Sequence, residues 1–167
     1  MVNVIKAKAK DLDKFLEFFE RTLKEKYFLY LAENAPYIIN AGLPKKPQFK
    51  KEILNGERPL YLIHKKTRII GYLLTKENYA GIAFGHWLAV DKDFQNKGYA
   101  TELLKVWEQD SFEHGAHAIQ LWTTENDAGF YKKNGFVSGG KFEKAWFGLD
   151  HYLFYKIIGK PSPKKYI

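Results

Sequence analysis

Two hydrophobic periods alternate along this chain. Leu12, Phe15, Leu16, Phe19, Leu23 and Tyr27 recur at helical spacing and predict an amphipathic helix with Asp11 as its N-cap. A short strand precedes it, carried by the alternation of Val2, Val4 and Lys6. A second helical segment is expected over 29–40, stopped by Gly42-Leu43-Pro44. Phe49 to Leu54 predicts a short helix ended by Asn55-Gly56. The period then changes to that of strands. Leu60 to His64 and Arg68 to Thr75 flank the turn Lys65-Lys66-Thr67, and Tyr79-Ala80-Gly81 leads into a third strand, Ile82 to Val90. Sequential apolar runs with short polar links predict antiparallel pairing. Ala100, Leu103, Leu104 and Trp107 restore the helical period up to about Gly115. Ile119 to Thr123 is a strand, and Ala128 to Lys133 is one or two helical turns closed by Asn134-Gly135. Two strands end the pattern, Phe136 to Gly140 and His151 to Ile158.

A strand, crossover helix and strand within such a chain require some parallel pairing. The predicted class is therefore α/β, with a mixed, mostly antiparallel sheet of about six to seven strands flanked by helices. Composition agrees with a globular chain: 46% hydrophobic, 17% aromatic and 28% charged. One domain is expected over 1–159, followed by a flexible basic tail over 160–167. No apolar run reaches the roughly 18 residues of a membrane span. Met1 to Lys6 lacks the apolar stretch of a signal peptide, so the default compartment is the cytoplasm. Without cysteine there is no disulfide, thiolate metal site or cysteine nucleophile. The five histidines show no ligand spacing, so no metal is expected. A net charge of +8 invites an anionic partner. Its lysines are scattered rather than gathered into a stripe, which argues against a nucleic-acid face.

The segment Val90 to Ala100 joins a strand to a helix. A helix N-terminus presents unpaired N–H groups and the positive end of the dipole, and small residues at 98 and 100 leave them uncovered. A pyrophosphate fits such a site, and Lys97 adds charge. The plainer alternative is an ordinary loop whose small residues permit close packing.

Gln95-x-x-Gly98-x-Ala100, following His86-Trp87-Leu88-Ala89-Val90, resembles the coenzyme A pyrophosphate loop of the GNAT superfamily of N-acetyltransferases. Phe130-Tyr131, followed by Gly135-Phe136, resembles the second signature of that family. The order of elements from Val2 to Ile158 matches as well. This resemblance implies the GNAT fold, with the sheet splayed between the strand ending near Val90 and the strand starting near Ile119. It implies acetyl-CoA as co-substrate. Backbone groups of Gln95, Asn96, Lys97, Gly98, Tyr99 and Ala100 would hold the pyrophosphate. Leu88, Ala89 and Val90 would run beside the pantetheine arm, and Tyr131 would serve the departing thiolate as an acid.

Asn126 is a candidate coenzyme contact, although Thr124 occupies the usual asparagine position of the family. His86, in alternation with Leu88 and Val90, falls where arylalkylamine acetyltransferases carry a histidine and is the candidate base. Glu125 is a weaker one, and Phe84 stands where histone-type members carry glutamate. The expected acceptor is a small-molecule or peptide amine. Its specificity is assigned to residues 27–49, with Tyr27, Phe28, Tyr30 and Tyr37, and to the turn from Trp146 to Asp150. Many members of the family dimerise, so a homodimer is compatible with the resemblance. Two other readings compete: a non-catalytic acyl-CoA-binding protein of the same fold, and a basic nucleic-acid-binding protein.

Overall fold

β-Branched and aromatic runs bounded by tight turns build one open, mixed sheet in the computed structural model, which describes residues 3–27 and 46–166. Its strands are β1 (Val4–Lys6), β2 (Leu60–Lys65), β3 (Arg68–Tyr79), β4 (Ile82–Val90), β5 (Ala118–Thr123), β6 (Val137–Phe142) and β7 (His151–Ile157). They lie in the order β1-β2-β3-β4-β5-β7-β6. Among the described strands only β4 and β5 run parallel, and their crossover carries a helix. The helices described are α1 (Leu12–Thr22), α2 (Lys46–Leu54), α3 (Tyr99–Glu113) and α4 (Glu125–Lys133). The α/β class, the strand count and the mixed pairing are as the sequence predicts. The segment expected to be helical over 29–40 lies outside the described residues.

Each face of the sheet has its own core. On the first face, Phe15, Phe19 and Leu23 of α1 and Phe49 of α2 pack on Leu62, Tyr72 and Leu74. On the second, Leu103, Leu104 and Trp107 of α3 pack with Ile63, Leu73, Ile119 and Leu121. The two amphipathic helices α1 and α3 therefore clamp opposite sides of β2 and β3.

Several boundaries differ from the sequence reading for local physical reasons. Helical winding starts one 3-10 turn early, at Ala9–Asp11, and the Asp11 carboxylate accepts from the Lys8 N–H at 2.9 Å. At the other end α1 widens into a π-helical turn, Leu23–Tyr27. β3 runs on through the polar Lys76, Glu77 and Asn78, because Lys76 still pairs with Phe84 and the Glu77 N–H donates to the Glu57 carbonyl. At the C-terminal end, the Tyr166 hydroxyl lies 2.7 Å from His117 Nδ1 and accepts from the Ser162 N–H at 2.7 Å.

The feature that shapes the site is a bulge in β4. Leu74 of β3 pairs with Trp87 and the next residue, Thr75, pairs with Gly85, which leaves His86 as the extra residue. A bulge bends the strand and shifts its side-chain alternation by one. Ala83 lies in the second core, while Trp87 and Ala89 lie in the first. Pairing of β4 with β5 stops at Gly85 and Leu121, one residue before the bulge. From there the two strands part. Gly85 is required at that point, since a Cβ there would sit 2.9 Å from Trp107 Cη2. The splay expected between the strands near Val90 and Ile119 is thus present, and it begins where the bulge turns β4 away.

Candidate functional site

Past Gly85, β4 has no strand partner on its β5 side among the described residues, so an extended chain could add there as a strand does to an edge. A cleft of about 960 Å³ opens along this gap. β4 contributes Leu88, Ala89 and Val90 to its wall, and the following loop contributes Gln95, Asn96 and Gly98. Tyr99 and Ala100 open α3 beside them, and Asn126 and Tyr131 face in from α4. The sequence places all of these in one coenzyme site, and the fold brings them to one cleft.

The loop has the geometry of an anion cradle. Asn96 and Gly98 both take left-handed backbone, with φ of 58° and 82°. Gly98 is the N-cap of α3 and supplies no side-chain cap, so the first-turn amides face outward without one. A Cβ at Gly98 would meet nothing within 4 Å, so the space above the loop is open. The fifteen-residue helix behind it adds the positive end of its dipole. The start of the loop is tethered in two ways. Gln95 Nε2 donates to the Val90 carbonyl at 3.0 Å. Asp91, whose side chain is fully buried, accepts from Arg21 Nη2 of α1 at 2.8 Å and from Arg68 Nη2 of β3 at 2.5 Å. Burial pushes the Asp91 carboxyl up, but hydrogen bonds from Arg21, the Asp93 N–H and Arg68 outweigh it and hold the pKa below the usual value.

Tyr131 is buried, with its ring among Phe130, Phe136 and Phe154 at centroid distances of 5.1, 5.7 and 6.0 Å. Aromatic packing fixes its direction toward the cleft. Thr124 also lines the cleft, so the threonine at the family's asparagine position and Asn126 share one wall.

Three candidate residues, Lys97, His86 and Glu125, do not line the cleft. Lys97 donates to the Asp93 carbonyl at 2.8 Å and lies 5.5 Å from the centroid of the Phe94 ring. His86 corrects the expected alternation. Leu88 and Val90 pack with the second core, whereas the His86 ring lies against Phe84 and Trp87 at 6.1 and 5.2 Å. The bulge is the reason. Burial, then the charges of Lys76 and Arg58, push the His86 pKa down to about 4, so the imidazole is neutral at physiological pH. Its buried Nδ1 has no hydrogen-bond partner among the described residues.

Sequence reasoning missed Thr22, Lys24 and Glu25, which enter the cleft from the end of α1 and the π-helical turn. No local motif marks them, although a π-helical turn is a frequent companion of functional sites. Of the aromatics assigned to acceptor specificity, Phe28, Tyr30 and Tyr37 lie outside the described residues, as does the side chain of Tyr27. Trp146 is present and forms a cluster with Trp122, Phe142 and His151, at centroid distances from 5.2 to 6.2 Å.

A comparison with protein families matches the Acetyltransferase (GNAT) family over residues 15–136. The chain belongs to that family. Among solved structures, a GNAT acetyltransferase from Streptococcus pneumoniae is 19% identical, with a TM-score of 0.77 over 95% of this chain and 100% of the other. The PaiA N-acetyltransferase of Thermoplasma acidophilum, in complex with coenzyme A, is 18% identical, with a TM-score of 0.73 over 94% and 99%. The ribosomal-protein-S18-alanine N-acetyltransferase of Escherichia coli is 15% identical, with a TM-score of 0.71 over 97% of each chain. At these identities the likeness is one of fold. No curated protein sequence gives a significant match. The GNAT chain has no helix among its described residues long and apolar enough to cross a membrane, and no group of residues there could hold a metal ion.

Proposed function

We propose that this GNAT protein is an N-acetyltransferase that uses acetyl-CoA and an amine acceptor, joined in one ternary complex. The observation that carries the reading is the coincidence, in one cleft, of a helix N-terminus without a side-chain cap, a β4 edge unpaired among the described residues, and Tyr131. Acetyl-CoA supplies an activated thioester carbonyl. The amides of Gln95 to Ala100 bind its pyrophosphate, and the backbone of Leu88 and Val90 holds the extended arm. A backbone N–H of Leu88 or Val90 polarises the carbonyl. The acceptor amine attacks the carbonyl carbon, the C–S bond breaks, and the Tyr131 hydroxyl donates a proton to the sulfur.

The attacking amine must also lose a proton. We assign the transient acceptance to His86, which is neutral and whose buried Nδ1 has no hydrogen-bond partner among the described residues. A base with a pKa of about 4 does not keep a proton at pH 7, so the proton passes on to water. A route through water alone is favoured by a different observation, the absence of His86 from the cleft wall. Acceptor specificity is assigned to the aromatic cluster at Trp146 and to residues 27–49.

The test is acetyl-CoA-dependent thiol release across a panel of amines, with Tyr131→Phe beside the wild type. The acid role predicts a kcat loss of about 10²- to 10⁴-fold with coenzyme affinity retained. Turnover undiminished in Tyr131→Phe would remove the tyrosine from the mechanism. Coenzyme binding without turnover on any amine would support the non-catalytic reading.

A further inference from the structure

A cluster of cations stands beside the coenzyme loop, and its members Lys65, Lys66 and Lys92 have no role in the site described above. Lys65 ends β2, Arg68 begins β3, and Lys66 sits in the turn between them. Phe94, on the 3-10 turn Lys92–Phe94 of the loop, is the common neighbour of Lys65 and Arg68. Its ring centroid lies 5.0 Å from Lys65 Nζ, 5.5 Å from Lys97 Nζ and 5.8 Å from Arg68 Cζ. Phe94 and Lys92 also line the cleft. Lys65, Lys97 and Arg68 therefore surround one ring, and Lys66 and Lys92 sit on the two adjoining turns, with Asp91, Asp93 and the cleft-lining Glu25 as the nearby carboxylates. Asp91 is already shared between Arg21 and Arg68. Among the described residues no carboxylate pairs with Lys65, Lys66 or Lys92. Like charges gathered around one ring repel each other, and an anion placed among them relieves that repulsion.

We propose that the β2–β3 turn and the Lys92–Lys97 loop form a subsite for the 3′-phosphate on the ribose of the coenzyme. The proposal rests on the coenzyme reading above. If the amides of α3 hold the pyrophosphate and the pantetheine arm follows β4 inward, the adenosine leaves on the outer side of the loop. The β2–β3 hairpin adjoins the loop at this end of β4, because Gly71 pairs with Val90 and the Asp91 N–H donates to the Ile70 carbonyl at 2.8 Å. A phosphomonoester is close to a dianion at neutral pH, and lysine recognises it as a point charge. The lysines are exposed, so they can be replaced without disturbing either core.

The experiment is titration of acetyl-CoA and of 3′-dephospho-acetyl-CoA into the wild type and into the Lys65→Gln/Lys66→Gln double variant. The wild type is expected to prefer acetyl-CoA by about tenfold or more, less so as salt rises. The double variant should bring that ratio below about threefold while leaving the affinity for the dephospho compound unchanged. A wild-type ratio near one, or a ratio the double variant does not alter, overturns the subsite. Loss of oligonucleotide binding in the double variant with an unaltered ratio also overturns it, and assigns the patch to nucleic acid. If neither compound binds the wild type, the coenzyme reading itself fails, which is a separate result.

Discussion

Asp91→Asn removes the charge that ties the coenzyme loop to the rest of the fold. The Asp91 side chain is 0% exposed and accepts from Arg21, Arg68 and the Asp93 N–H. Removing one partner of a buried ion pair costs about 3–5 kcal/mol. Here the arginine side chains are 39% and 52% exposed, so water solvates them once released. That discounts the loss to about 1–3 kcal/mol. At roughly 2–4 °C per kcal/mol for a domain of this size, the melting temperature should fall by about 2–12 °C. The folded pKa of Asp91 lies below its unfolded value, so its stabilisation is present above the unfolded pKa and is lost as pH falls through the folded one. Urea denaturation followed by tryptophan fluorescence should show a wild-type advantage at pH 7 that shrinks below about pH 4. Acetyl-CoA affinity should fall along with stability, because the same carboxylate sets the loop. Equal stability at pH 7, or an advantage that persists unchanged at pH 3, would refute the reasoning.

His86 is neutral in the folded state down to about pH 4, so wild-type stability should drop as pH falls from about 6.5 toward 4, by at most about 3 kcal/mol. His86→Gln should flatten that part of the curve, and kcat/KM should show no histidine inflection near pH 6.5; an inflection there that the variant abolishes would contradict the burial argument. Gly85→Ala drives a methyl against Trp107, which is 1% exposed, and should cost about 1–3 kcal/mol by thermal melting. A neutral effect would mean that Trp107 shifts freely.

The strand Ile82 to Val90 was legible because Gly81 and Asp91 bound an apolar run, and the loop after it because Gln95, Gly98 and Ala100 carry a spacing that backbone geometry demands. The face of His86 was not legible. A bulge is a property of the pairing between Leu74, Thr75, Gly85 and Trp87, and no one strand encodes it. Thr22, Lys24 and Glu25 escaped for a related reason: they reach the cleft through the packing of α1 across the sheet, and their own neighbourhood reads as the end of an amphipathic helix. Lys97 looked like a phosphate ligand by position, but its ammonium is engaged by the Asp93 carbonyl and lies near the Phe94 ring. The cations at Lys65 and Arg68 look scattered along the chain, and only the hairpin brings them to Phe94.

The most direct measurement is calorimetric titration of the protein with acetyl-CoA, beside the Gly98→Glu variant. Gly98 faces open space with a left-handed backbone, so the substitution puts a carboxylate over the amide cradle without a clash inside the protein, at a strain of about 1–2 kcal/mol. One-to-one binding to the wild type that the folded variant loses is the predicted result. No heat of binding to the wild type, or equal binding to both, would contradict the coenzyme cleft on which the account rests.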